Sequence, residues 1–213
     1  MTNYERAHAI ADEIISCRRA IHGFAEVGFD LPNTLNLIKA KLTEYGYENI
    51  QEIGGGLVVT VGQGGKTFLL RGDMDALPMK ELSGLDFAAV NGQCHACGHD
   101  MHAAMLLGAA KILKEMEAEL PGTVKLMFQP AEEILSGAKA MINAGVLENP
   151  KVDAAMALHM TTSYPTGTLI SRNNFLQNFI FLFCFGVCVP LFFMSVLYQF
   201  VLRTCRFGGT RFL

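Results

Sequence analysis

Three short apolar runs, TFLL at 67–70, TVKLMF at 123–128 and DAAMAL at 153–158, each end beside residues that carry chemistry, and stretches with helical spacing separate them. Runs of this length read as buried strands. Strands alternating with helices restrict the chain to an α/β architecture, a largely parallel mixed sheet flanked by helices. The alternation also says where function sits, because open α/β sheets bind ligands beyond the carboxyl ends of their strands. Asp73 and Asp75 follow the first run, Glu132 and Glu133 the second, and His159 the third.

The remaining elements follow from spacing and turn chemistry. Ala7, Ile10, Ile14 and Ile15 recur at helical intervals and predict a helix over about residues 4–21; a second is expected over 34–45, behind Pro32 and Asn33. A Gly-rich turn between Leu57–Val61 and Thr67–Leu70 predicts a β-hairpin. Lys66 and Thr67 follow Gly65, but Thr60 stands where a phosphate loop needs its first glycine, so that motif fails. Asp100 is the expected N-cap of a helix over about 101–117. SGAKAMINAG reads as a helix capped by Ser136 and ended by Gly145.

The 213 residues suffice for one domain with its own core, and a formal net charge of −3 gives no indication of nucleic-acid binding. Every Asp and Glu lies at or before Asp153, whereas residues 173–213 carry only Arg203, Arg206 and Arg211 as charges. The chain therefore divides into 1–172 and an apolar tail, 173–213. The stretch 175–202 has the length and apolarity of a membrane span, with basic residues just after it; the competing reading is a tail foreign to the rest of the chain. The start has no apolar core of secretory-signal length, and six cysteines without framework spacing fit reduced thiols or metal ligands. A cytoplasmic setting is expected, with membrane association through the tail as the alternative.

Chemistry concentrates in NGQCHACGHDMHAAMLLGAA, residues 91–110, where two cysteines and three histidines occupy nine positions. A structural zinc knot, a redox Cys94/Cys97 pair and one corner of a catalytic metal centre all fit this stretch alone. Each strand-end residue also has an ordinary reading. His159 suits a hydrogen-bonded structural histidine, Glu132 and Glu133 a solvated helix start, and Asp73 and Asp75 turn formers ahead of Pro78. Their coincidence at one sheet edge favours a divalent-metal hydrolase, since thiolate, imidazole and carboxylate together suit zinc, manganese or cobalt. Two adjacent carboxylates also repel one another unless a cation lies between them.

RRAIHGFAEVGF, RGDMDALP, CHACGHDMHAAMLLGAA, GTVKLMFQPAEE, SGAKAMINAGVLE and VDAAMALH stand in the order and spacing of the amidohydrolases that cleave N-acyl amino acids. The chain resembles their hippurate hydrolase and indole-acetyl-amino-acid hydrolase branch, relatives of aminoacylase and carboxypeptidase G. Ala25 is a departure, standing where the family usually has Pro.

The resemblance implies a zinc-peptidase-like catalytic domain and two divalent cations of manganese, zinc or cobalt. Cys97, His99, Glu133 and His159 would be metal ligands, with the Cys97 thiolate bridging the two ions. It makes Glu132 the general base, Asp75 an orienting acid near the metals, and Asp100 a partner of a ligand histidine. The implied reaction is amide hydrolysis of a small N-acyl amino acid, with Glu132 moving a proton from water to the leaving amine. Family members continue into a lid and dimerisation domain, are usually homo-oligomeric, and return with one more metal-binding His. No His follows His159 here. The expectation is a C-terminally truncated catalytic domain that binds metal weakly and does not turn over, or a metal-binding remnant tethered to a membrane.

Overall fold

The computed structural model describes residues 1–163, 165, 168–171 and 179–184. Its helices are α1 (Asn3–Ala9), α2 (Ala11–Gly23), α3 (Pro32–Glu44), α4 (His99–Glu115) and α5 (Gly137–Asn143). The strands are β1 (Gln51–Ile53), β2 (Gly56–Val61), β3 (Thr67–Asp73), β4 (Thr123–Gln129), β5 (Ala154–Met160), β6 (Leu169–Ser171) and β7 (Phe179–Cys184). They form one mixed sheet in the order β1-β2-β4-β3-β5-β7-β6. β3 runs parallel to β4 and β5, and β5 parallel to β7, while β2 is antiparallel to β4.

The period-2 alternation sorts side chains onto two faces. Leu57, Val59, Val61, Phe68, Leu70, Val124, Leu126 and Phe128 join the core beneath α1–α4, whereas Val58, Leu69 and Met127 pack with Met141 of α5 and Val146. α4 lies directly on β3, where Gly72 admits it: a Cβ there would come within 3.0 Å of the His102 carbonyl oxygen. Lys125 of β4 is buried on the α5 side and donates to the carbonyls of Val146, Glu148 and Pro150, tying down the loop that returns to β5.

The expected hairpin does not form. β4, buried at all seven positions, lies between β2 and β3 and pairs with both. The strand buried along its whole length takes the place with a neighbour on each side, which the 62–66 turn permits as readily as a hairpin. The hairpin instead joins β1 and β2 through Gly54 and Gly55, with φ of 57° and 84°, as a two-residue turn requires. The single helix expected over 4–21 bends at Ile10 (φ −103°, ψ 6°) into α1 and α2. Gly98, not Asp100, precedes α4, in the left-handed region at φ 83°; Asp100 falls inside the first turn. Most of 175–202 lies outside the described residues, but 179–184 form β7 beside β5. Among the described residues no helix is long and apolar enough to cross a membrane.

Candidate metal centre

After β3 the chain crosses through α4 to β4 on one side, then through α5 to β5 on the other. β3 is thus the point where the winding reverses, and a crevice opens beyond its carboxyl end. Asp73 and Asp75 from β3 and its extension, Glu132 and Glu133 beyond β4, and His159 near the end of β5 all reach this edge. Cys97 and His99 arrive from the loop and first turn of α4, and that loop is fixed by two backbone hydrogen bonds between Leu77 and Cys94, each 3.0 Å.

His99 is fully buried. Its Nδ1 lies 2.8 Å from the Asp75 carbonyl oxygen, which can only accept, so Nδ1 carries a proton. Nε2 is buried without a hydrogen-bond partner, 3.8 Å from Glu133 Oε1 and 3.9 Å from Glu132 Oε2. Glu133 Oε1 is likewise buried and unpartnered. Cys97, His99 and Glu133 each offer a ligand atom within 4.8 Å of the others'. Two orphaned buried groups converging on a thiol are costly unless a cation satisfies them, and the N/S/O donor set suits zinc or its neighbours.

Electrostatics agree. Burial, then Glu133, Glu132 and Asp73, push the Cys97 thiol up to about 12. Burial opposes the charged form of His99, yet Asp75, Asp73 and Glu133 raise its pKa. The carboxylates around Cys97 and His99 thus make the pocket anionic.

Asp75 is the joint of the site. Its carboxylate accepts the backbone N–H of Glu132 at 3.0 Å and of Glu133 at 3.1 Å, while its carbonyl orients His99. One residue therefore positions both glutamates and one imidazole. The Glu132–Glu133 turn begins at Ala131 in a left-handed conformation, φ 53°.

His159 comes near this trio but outside it, its ring centroid 5.9 Å from that of His99 and its Nδ1 donating to the Met160 carbonyl at 2.6 Å. Cys94 is outside the trio as well, and Cys94 and Cys97 are free thiols. Asp100 departs from its expected role, because its Oδ2 meets Arg18 Nε at 2.6 Å and His22 Nδ1 at 2.8 Å, and neither belongs to the candidate centre. His22 is bound by carboxylates on both nitrogens, Asp100 and Glu81, which raises its pKa.

His102 carries no role of its own in the sequence reading, and Asp73 only a place at the sheet edge; with His99 the two form a second buried group of ligand-type atoms. The i, i+3 spacing of His99 and His102 on one helix face was the available signal.

The sequence profile of peptidase family M20/M25/M40 matches residues 69–174. The chain belongs to that family. It is 45% identical over 170 residues to IAA-amino acid hydrolase ILR1-like 5 of Arabidopsis thaliana, a match that covers 78% of this chain and 38% of that protein. It is 44% identical over 151 residues to the hippurate hydrolase of Campylobacter jejuni, covering 69% of this chain and 39% of the relative. The M20 chain thus spans about two fifths of the length of these curated relatives. Among solved structures, a dinuclear metal-binding peptidase of the M20 family from Bacillus subtilis superposes with a TM-score of 0.72 at 38% identity, over 76% of this chain and 46% of that one.

Proposed function

We propose that this chain carries the metal-binding and general-base part of a centre that hydrolyses the amide bond of N-acyl amino acids, releasing a carboxylic acid and an amino acid. The observation that carries the reading is the pair of buried, unpartnered atoms, His99 Nε2 and Glu133 Oε1, facing the Cys97 thiol. Cys97, His99 and Glu133 would hold a divalent cation, with His159 completing a two-ion set in keeping with the dinuclear neighbour. When bound, such ions acidify water and polarise a carbonyl.

The chain's own residues do the rest. Glu132 is the more exposed of the two glutamates, its side chain 34% accessible against 16% for Glu133. That difference suits a base exchanging protons with substrate and solvent, while its neighbour faces inward. Asp75 holds both glutamates by their backbones, so Glu132 is oriented without its carboxylate being consumed. The hippurate hydrolase and IAA-amino acid hydrolase relatives support an aromatic acyl group on the substrate.

The test is metal content after equilibrium dialysis, together with glycine release from hippurate in the presence of manganese. Glu133→Gln should lose metal and Glu132→Gln should keep it; in a full-length relative with the same adjacent glutamates, the change corresponding to Glu132→Gln should also lower turnover by about 10²–10⁴-fold. The reverse pattern of metal loss would exchange the two roles. Metal uptake with no glycine release in the wild type would make this a metal-binding unit without turnover.

A further inference from the structure

Of the two α4 histidines, only His99 turns an unpartnered nitrogen toward Cys97 and Glu133; both nitrogens of His102 are occupied. His102 Nδ1 lies 2.5 Å from Asp73 Oδ1, and Nε2 lies 2.8 Å from the Met160 backbone nitrogen. An N–H can only donate, so Nε2 accepts and the ring proton sits on Nδ1, directed at the carboxylate. Asp73 is held in turn by Arg71, 2.6 Å away. His102 therefore has no lone pair to give a cation, although it lies among ligand-type atoms.

What it grips is the end of β5. The ladder between β3 and β5 ends at Arg71 opposite Ala157, three residues short of Met160. On that side His102 supplies the acceptor for Met160. The Met160 carbonyl takes the hydrogen bond from His159 Nδ1 at 2.6 Å, and the rings of His102 and His159 meet edge to face, 4.9 Å between centroids. Met160, whose carbonyl orients His159, is thus pinned from α4 through its own N–H.

We propose that His102 is a positioning residue, a strut whose Nε2 fixes the end of β5 and so aims His159 at the metal centre. The proposal rests on the reading of His159 as a ligand. It gives the two nitrogens separate duties: the contact to Asp73 sets the tautomer, and the contact to Met160 sets the geometry of His159. Gln and Asn separate them, because a Gln side chain places its amide near the Nε2 position and an Asn near the Nδ1 position.

The experiment uses the whole chain and two readouts, amide exchange at Met160 by NMR and cobalt(II) binding followed by its visible absorption. His102→Gln should keep Met160 protected and bind cobalt much as the wild type does. His102→Asn should expose Met160, change the cobalt spectrum and weaken binding by about 10- to 100-fold, the usual effect of losing a group that orients a ligand. Equal losses in both folded variants, or no change in either, would overturn the proposal. If His102→Asn does not fold, ¹⁵N shifts of the wild-type ring decide: a proton on Nδ1 supports the strut and a proton on Nε2 refutes it. A wild type that takes up no cobalt, with the Met160 contrast intact, would sink the metal-centre reading while supporting the strut.

Discussion

Asp75 joins three functional groups, so its replacement tests the site at the scale of one residue. Asp75→Asn leaves one of two neighbouring backbone N–H groups without its charged acceptor. It is expected to lower stability by about 1–3 kcal/mol and metal affinity by about 10- to 100-fold. Denaturant unfolding in chelator and a metal titration measure the two effects separately. His95 supplies the contrast. It is buried with neither ring nitrogen hydrogen-bonded, burial holds its pKa down to about 4, and its ring lies 6.1 Å from that of His22. Cys97→Ala should abolish metal uptake and His95→Ala should leave it near wild type; equal loss in both would restore the zinc-knot reading. Spacing along 94–102 could not tell these side chains apart, because direction in an irregular loop is set by backbone torsions and not by residue order.

At the scale of elements, the turn carrying Glu132 and Glu133 is clamped between β4 and α5. Gly137 opens α5, and a Cβ there would fall 1.6 Å from the Pro130 carbonyl oxygen. Gly137→Ala should therefore destabilise by about 3 kcal/mol or more and weaken metal binding as well, because Pro130 and Ala131 must move. Gly64 has a positive φ of 68° but open space around its Cβ position. Gly64→Ala should incur only the left-handed strain, a destabilisation of about 1–2 kcal/mol, and leave metal binding unchanged. Thermal melts with and without cobalt distinguish the two.

For the molecule as a whole, acid stability follows from carboxylates that join separate elements. Burial works to raise the Glu13 pKa, but hydrogen bonds from Lys111, Tyr45 and Lys41 bring it down to about 2, linking α2 to α3 and α4. Burial likewise opposes ionisation of Glu81, and His22, Ser83 and the Ala89 N–H bring it to about 2. Unfolded, both titrate near 4.5. Their contribution is therefore present above about pH 4.5 and is lost as pH falls toward about 2, where the unfolded chain binds protons the folded chain refuses. His22 acts in the opposite sense: its raised pKa stabilises at pH below its ordinary value of 6.5 and that gain is lost as pH rises through the folded value. Melting temperature should fall steeply on the acid side, and Glu13→Gln should lower the neutral-pH value and flatten that limb.

The amino-acid sequence by itself determined the α/β alternation, β3, β4 and β5, and the placement of acidic, cysteine and histidine residues just beyond their ends. These are local properties, written in apolar periodicity and in which residue follows each run. The six motif blocks carried the family assignment and named Cys97, His99 and Glu133, whose ligand atoms the fold brings together. Only the tertiary structure decided that β4 inserts between β2 and β3, because strand order depends on which strand gains most from burial on both sides, a comparison no single segment contains. The fold likewise withdrew Asp100 from the cap of α4 and gave it to Arg18 and His22. Three residues from His99 on the same helix, His102 was set apart by a partner 58 positions away, the Met160 N–H. A histidine's role is fixed by what faces each of its two nitrogens, and those neighbours come from strands that meet only when the sheet is assembled.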